Sequence, residues 1–170
     1  FICIVFFIAP WLFFPRSHFL EVESRRKPNQ PTWQVHTRRI ITTSVDGKHL
    51  INLWGEIGKY ILTSEVPLLA QRGGPLVLNQ QEITLVEERT EAKEPLNYLI
   101  GRVAATGEGL LGAHAAYNML VVDEASKSDD SVYRSGSTWA KRMLIFGNAW
   151  ETENYFRKAV DGWDARVALA

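Results

Sequence analysis

The clearest chemistry in the chain lies in Met119-Leu120-Val121-Val122-Asp123-Glu124. Four consecutive apolar residues predict a buried strand, and two carboxylates follow where that strand emerges. Open α/β sheets bind ligands at the carboxyl ends of their strands, so the acids are expected at the functional edge. Two adjacent acids there suit a hard divalent cation such as Mg²⁺ together with a water: one holds the metal, the other polarises the water as general base. The plainer alternative is a strand end that carries a solvated acidic pair, and these six residues alone do not choose between the two.

The elements that must position the acids are legible in outline. RRIITTSV (38–45), rich in β-branched residues and closed by Asp46 and Gly47, predicts a strand and a turn. In the following HLINLWGEIGKYIL, residues Leu50, Leu53, Trp54, Ile57 and Ile61 recur at helical spacing and form one apolar stripe. RGGP (72–75) breaks the pattern. ITLVEE (83–88) and NYLIGRVAA (97–105) then read as two strands joined by a polar loop containing Lys93 and Pro95, although Asn79 and Glu82 would also suit a capping box for a helix over 79–90. A small-residue loop, TGEGLLGAHA, leads into the acidic strand. A polar stretch follows, then a strand RMLIFGN (142–148) and a helix ETENYFRKAV with Phe156, Ala159 and Val160 on one face. Short apolar runs without alternation predict strands covered on both faces. The fold class expected is therefore α/β, a mostly parallel sheet flanked by helices.

Composition narrows the function classes. Lysine plus arginine equals aspartate plus glutamate at 19 each, so there is no bulk positive field and any DNA contact must be local. Cys3, the single cysteine, cannot form an internal disulfide, and no cysteine and histidine cluster has zinc-ligand spacing. His18, His36, His49 and His114 are scattered and read as structural or exposed. Residues 1–14, FICIVFFIAPWLFF, fall short of the roughly 20 residues of a membrane span and are interrupted by Pro10, which favours a core element over an anchor. Residues 15–37, with Pro15, Pro28 and Pro31, read as a connection, and its basic cluster Arg25, Arg26 and Lys27 as a solvated loop.

Order and context add a resemblance. GRVAATGEGLLGAHAAYNMLVVDEAS, followed after a polar gap by KRMLIFGNAWETENYF, resembles the ATPase domain of phage terminase large subunits. There, a glycine-containing loop, a Walker B strand ending in Asp-Glu-Ala and a strand ending in Gly-Asn come in this order. IITTSVDGKHLINLWGEI is similar to the strand-turn-helix upstream, so the resemblance spans about 38–160. It implies a P-loop NTPase-like domain over 38–170, preceded at 1–37 by a truncated apolar element and linker. It also implies ATP and Mg²⁺ as cofactors, Asp123 as the metal-organising acid, Glu124 as the catalytic carboxylate, and Gly147 with Asn148 as the tip that senses the γ-phosphate. An amide suits that last task because it both donates to a phosphate oxygen and accepts from water, although a turn-forming asparagine after Gly147 remains the alternative. Implied partners are double-stranded DNA, a terminase small subunit, a portal protein and further copies in a motor ring, with no membrane, in the cytoplasm of a bacterial host. Arg102 and Arg134 are candidates for an arginine finger, with surface arginine the plainer role. Ser44 and Lys48, where relatives contact nucleotide or DNA, read here as a plain turn.

The sequence also departs from that pattern. No GxxxxGK[ST] loop occurs in the 170 residues, and Ala149 with Trp150 stand where proline often follows the Gly-Asn pair. The opening Phe1 and the absence of a nuclease-like acidic cluster after the last helix read as a truncated piece of a longer motor, expected to bind ATP weakly and to be inactive by itself. Two other readings compete: a helicase or other P-loop ATPase, which shares the acid pair, and a non-enzymatic, membrane-associated protein anchored by residues 1–14.

Overall fold

The computed structural model describes residues 38–65, 67–74, 76–85, 98–110, 115, 117–148 and 153–167. Six strands form one sheet: β1 (Arg38–Ser44), β2 (Leu76–Asn79), β3 (Glu82–Leu85), β4 (Tyr98–Val103), β5 (Tyr117–Val122) and β6 (Arg142–Ile145). Three helices accompany them: α1 (Gly47–Thr63), α2 (Asp130–Trp139) and α3 (Tyr155–Val167). The sheet order is β2-β3-β4-β1-β5-β6. β4, β1, β5 and β6 run parallel, while β2 and β3 make an antiparallel hairpin on the β4 side. The expected α/β class with a mostly parallel sheet is therefore observed.

β1 sits between β4 and β5, and Ile40 to Ser44 are all buried to within 1% of full burial, which is why this strand reads as an unbroken run rather than an alternation. Its side chains divide by parity. Ile40 joins Met119, Val121, Leu99 and the α1 stripe in one apolar cluster, whereas Ile41 joins Leu120, Val122, Val132, Tyr133 and Trp139 in the other. The five residues of the α1 stripe are the buried residues of that helix. Each large apolar side chain buried this way contributes roughly 1.5–3 kcal/mol before entropy is counted. Trp54 carries a polar handle into the cluster: its Nε1 donates to Thr42 Oγ1 at 3.0 Å, and that hydroxyl donates to Ile100 O at 3.3 Å. Gly101 makes room for the indole, since a Cβ there would stand 2.3 Å from Trp54 Nε1.

The structure corrects several sequence expectations. The polar stretch after the acids contains helix α2, whose Ser- and Gly-rich sequence has low helix propensity. It forms because Val132, Tyr133, Gly136 and Trp139 share one buried face, and because Asp129 caps it by accepting from Ser131 N at 2.8 Å. Gly136 lies against the sheet, where a Cβ would meet Leu120 Cδ2 at 2.5 Å. β2 was also unforeseen. It is four residues long, and its two-residue turn places Gln80 at φ 46 without the Asn-Gly or Gly signature that usually marks such hairpins. β6 ends at Ile145 rather than reaching 148. α3 begins at Tyr155 rather than 151, with Phe156 and Val160 half-buried but Ala159 exposed.

Residues 1–37, the loop with Lys93 and Pro95, His114, Ala149 and Trp150 lie outside the described residues. Among the described residues no helix is long and apolar enough to cross a membrane.

Candidate functional site

The chain leaves β1 through α1 toward β4, and leaves β5 through α2 toward β6, so the connections from these two adjacent strands diverge at their carboxyl ends. Such a divergence opens a crevice at the sheet edge, the usual place for a ligand in open α/β sheets. Asp123 and Glu124 stand at that point. Asp123 N donates to Thr43 O at 2.9 Å, extending the ladder one residue past β5. On the other side Phe146 N donates to Val122 O at 2.9 Å, and Ala125 N donates to Phe146 O at 2.8 Å. The tips of β1, β5 and β6 are thereby tied side by side.

Between those bonds the backbone turns sharply. Glu124 takes the left-handed conformation, φ 56 and ψ 40, which costs a non-glycine residue roughly 1–2 kcal/mol. Neighbours hold the turn in place. Tyr133 OH donates to Ala125 O at 2.8 Å, and Asn154 Nδ2 reaches Ala125 O at 3.1 Å, Ser126 O at 2.8 Å and Ser128 O at 3.4 Å. The same asparagine caps α3, accepting from Arg157 N at 3.1 Å. Burial pushes the Tyr133 hydroxyl up to about 12, so it stays a donor at any ordinary pH.

The two acids differ in surroundings. Burial raises the Asp123 pKa above the ordinary carboxylate value, with the Glu124 charge adding to the rise. A hydrogen bond from the Glu124 backbone and the neighbouring His49 oppose it. Glu124 is paired: His49 Nδ1 lies 3.2 Å from Oε1 and Lys127 Nζ 3.1 Å from Oε2. His49 is fixed by Asp46, which accepts from its backbone N–H at 2.9 Å and lies 3.5 Å from its Nε2. That backbone hydrogen bond, the largest influence, holds the Asp46 carboxyl below its usual value.

Of the residues expected from sequence, Asp123, Glu124 and Gly147 are brought together. A Cβ on Gly147 would stand 3.0 Å from Ala125 N and 3.1 Å from Ser126 N, so a side chain there would press on the turn by a few tenths of an ångström. Asn148 follows at the same tip and is exposed. Ser44 is not in a turn as expected; it is the buried last residue of β1, and Lys48 is exposed in the first turn of α1. Arg102 is half-buried on β4 and Arg134 exposed on α2. His49, Lys127, Tyr133 and Asn154 were not foreseen. The apolar stripe of HLINLWGEIGKYIL put His49 at the head of a helix, but the pairing of β1 with β5 that sets it against Glu124 has no sequence signature.

A divalent cation can be tested against the donors present. Among the described residues no three His, Cys, Asp or Glu side chains converge as a metal cage. Magnesium, however, keeps several waters and needs only one or two carboxylates. Asp123 is a half-buried carboxyl whose charge carries a desolvation penalty. Thr43 pairs with Val122, so Ser44 stands beside Asp123 one step further along, and its Oγ is buried with no hydrogen-bond partner. An acid in need of a cation and an unsatisfied hydroxyl fit an oxygen-seeking ion. For a triphosphate the fit is incomplete, since the sequence holds no GxxxxGK[ST] loop.

Comparison with known proteins yields one solved structure. The chain is similar to a mutant form of the large terminase ATPase domain of Thermus phage P74-26, at 13% identity and a TM-score of 0.45, over 83% of this chain. It spans 55% of that domain's length. No protein-family model and no curated protein matches the sequence.

Proposed function

We propose that this chain forms the metal- and water-handling side of an ATP-hydrolysing site, of the kind that drives DNA translocation in viral packaging terminases. The observation that carries the reading is the Asp123-Glu124 pair at the carboxyl end of a central parallel strand, where the chain connections diverge. Asp123 with Ser44 would hold Mg²⁺, which when bound neutralises phosphate charge. Glu124 accepts a proton from the attacking water through a carboxylate oxygen. Gly147 lets the β6 tip lie directly on the acidic turn, so that Asn148 reports on the same site. Phosphate-cradling groups come from outside the described residues. Double-stranded DNA, a small subunit, a portal protein, a homo-oligomeric ring and a place in the host cytoplasm belong to the same proposal, supported by the order of sequence segments.

Mutation of the complete gene product tests it. Glu124→Gln should retain ATP binding and lower turnover by a factor on the order of 10² or more. Asp123→Ala should weaken Mg²⁺-dependent nucleotide binding instead. Unchanged turnover in the first variant removes Glu124 from the chemistry. The acid pair serves a helicase-like ATPase equally well, and stimulation of hydrolysis by duplex rather than single-stranded DNA separates the two.

A further inference from the structure

Asp123 and Glu124 are neighbours in sequence, but different parts of the molecule hold them. Asp123 is fixed from within the sheet, its N–H continuing the ladder to Thr43 O at 2.9 Å. Glu124 has left the ladder. It precedes the short 3₁₀ turn Ala125–Lys127 in a left-handed conformation, and a non-glycine residue stays there only while its surroundings hold it. Phe146 O holds the turn from β6 by accepting from Ala125 N at 2.8 Å, and side chains hold its carbonyls. Asn154 Nδ2 donates to Ser126 O at 2.8 Å and to Ala125 O at 3.1 Å, with Ser128 O at 3.4 Å, while Tyr133 OH donates to Ala125 O at 2.8 Å. The other end of the same amide, Asn154 Oδ1, accepts from Arg157 N at 3.1 Å, so the first turn of α3 fixes which way the amide faces. One side chain thus ties α3 to the backbone that aims Glu124.

We propose that Asn154 is a positioning residue for hydrolysis, aiming the Glu124 carboxylate through the turn carbonyls it binds. The proposal rests on the reading of Glu124 as general base. A backbone that relaxes out of the left-handed region rotates the Cα–Cβ bond and carries the carboxylate with it. A misplacement on the order of 1 Å is enough to cost as much as ~10²-fold in rate. His49 and Lys127 also touch this carboxylate, but through partly exposed pairs that water contests, so they do not replace a fixed backbone. Asp123 keeps its own bond to β1 whatever happens to the turn. Loss of the Asn154 amide should therefore damage the chemical step and spare the binding of metal and nucleotide.

The test uses the complete gene product with Asn154→Ser, Asn154→Ala, Glu124→Gln and the double variant Glu124→Gln/Asn154→Ser, assayed at varied MgATP well below each melting temperature. Serine caps a helix as well as asparagine does, but its hydroxyl is too short to cap α3 and reach the turn carbonyls together. Asn154→Ser should lower kcat by ~10-fold or more with KM for MgATP within about twofold. Asn154→Ala should lower kcat to the same extent and melt at a lower temperature than the serine variant, because only alanine also loses the cap. A kcat that falls in the alanine variant and not in the serine variant, or a KM that rises as kcat falls, overturns the positioning role. The double variant supplies the second arm: with the base already gone there is nothing left to aim, so Asn154→Ser should change the residual turnover of Glu124→Gln by no more than about twofold. A further ~10-fold loss there overturns the positioning role and leaves the base assignment standing. Turnover that persists in Glu124→Gln alone overturns the base assignment, and the role of Asn154 with it.

Discussion

The turns that follow β5 and β1 stand side by side where the chain connections diverge, and they are built in opposite ways. The turn after β5 is held from three directions: β6 through Phe146, α2 through Tyr133, and the start of α3 through Asn154. The turn after β1 is local, closed by Asp46 accepting from His49 three residues on. Over-determination from several elements is what allows Glu124 to persist in a left-handed conformation, whereas a self-capping turn imposes no strain and needs no tertiary partner. The side chains that meet between the turns, His49 and Glu124, therefore join a turn braced by three elements to one closed within its own helix.

Stability measurements can break this comparison. The largest expected effect is at Asn154. Asn154→Ala removes the cap of α3 and leaves carbonyls of the β5 turn short of a donor, which should cost about 2–3 kcal/mol in urea denaturation. Asp46→Ala, the equivalent lesion in the other turn, should lower the melting temperature by much less. Equal losses would mean that both turns are locally determined.

Two smaller effects sharpen the account of the strained turn. Glu124→Gly and Glu124→Ala both delete the carboxylate, but only glycine adopts φ 56 freely, so the glycine variant should be the more stable by about 1 kcal/mol. Alanine matching glycine would show that the turn relaxes. Tyr133→Phe should cost about 0.5–1.5 kcal/mol, toward the low end because Asn154 still donates to Ala125 O.

The smallest effect concerns Asp123 and pH. Its folded pKa lies above the ordinary 3.8, so folding favours the protonated form. The stability this group contributes is fully present below pH 3.8 and is lost as pH rises through the raised folded value. Asp123→Asn removes that loss. The variant should therefore gain in melting temperature over wild type as pH rises from about 3.8 toward neutrality, and the difference should then level off. A gap of constant size from pH 3 to 7 would show that burial does not strain this carboxyl.

Much of this was written in local pattern. The β-branched run of β1, the stripe Leu50, Leu53, Trp54, Ile57 and Ile61, and the apolar run ending at Asp123 and Glu124 each fixed an element, because period and branching act within a few residues. The mostly parallel sheet followed from strands without alternation. Tertiary structure decided the rest. Helix α2 exists because one face of a poor helix former finds the sheet, and β2 because a hairpin closes without its usual turn residues. It also decided that Glu124 is the acid met by His49 and Lys127. Nothing in the spacing of residues 49, 124, 127 and 154 sets them side by side; only the order of β1 beside β5 and β5 beside β6 does so, and strand order is a property of the packed sheet rather than of any segment in it.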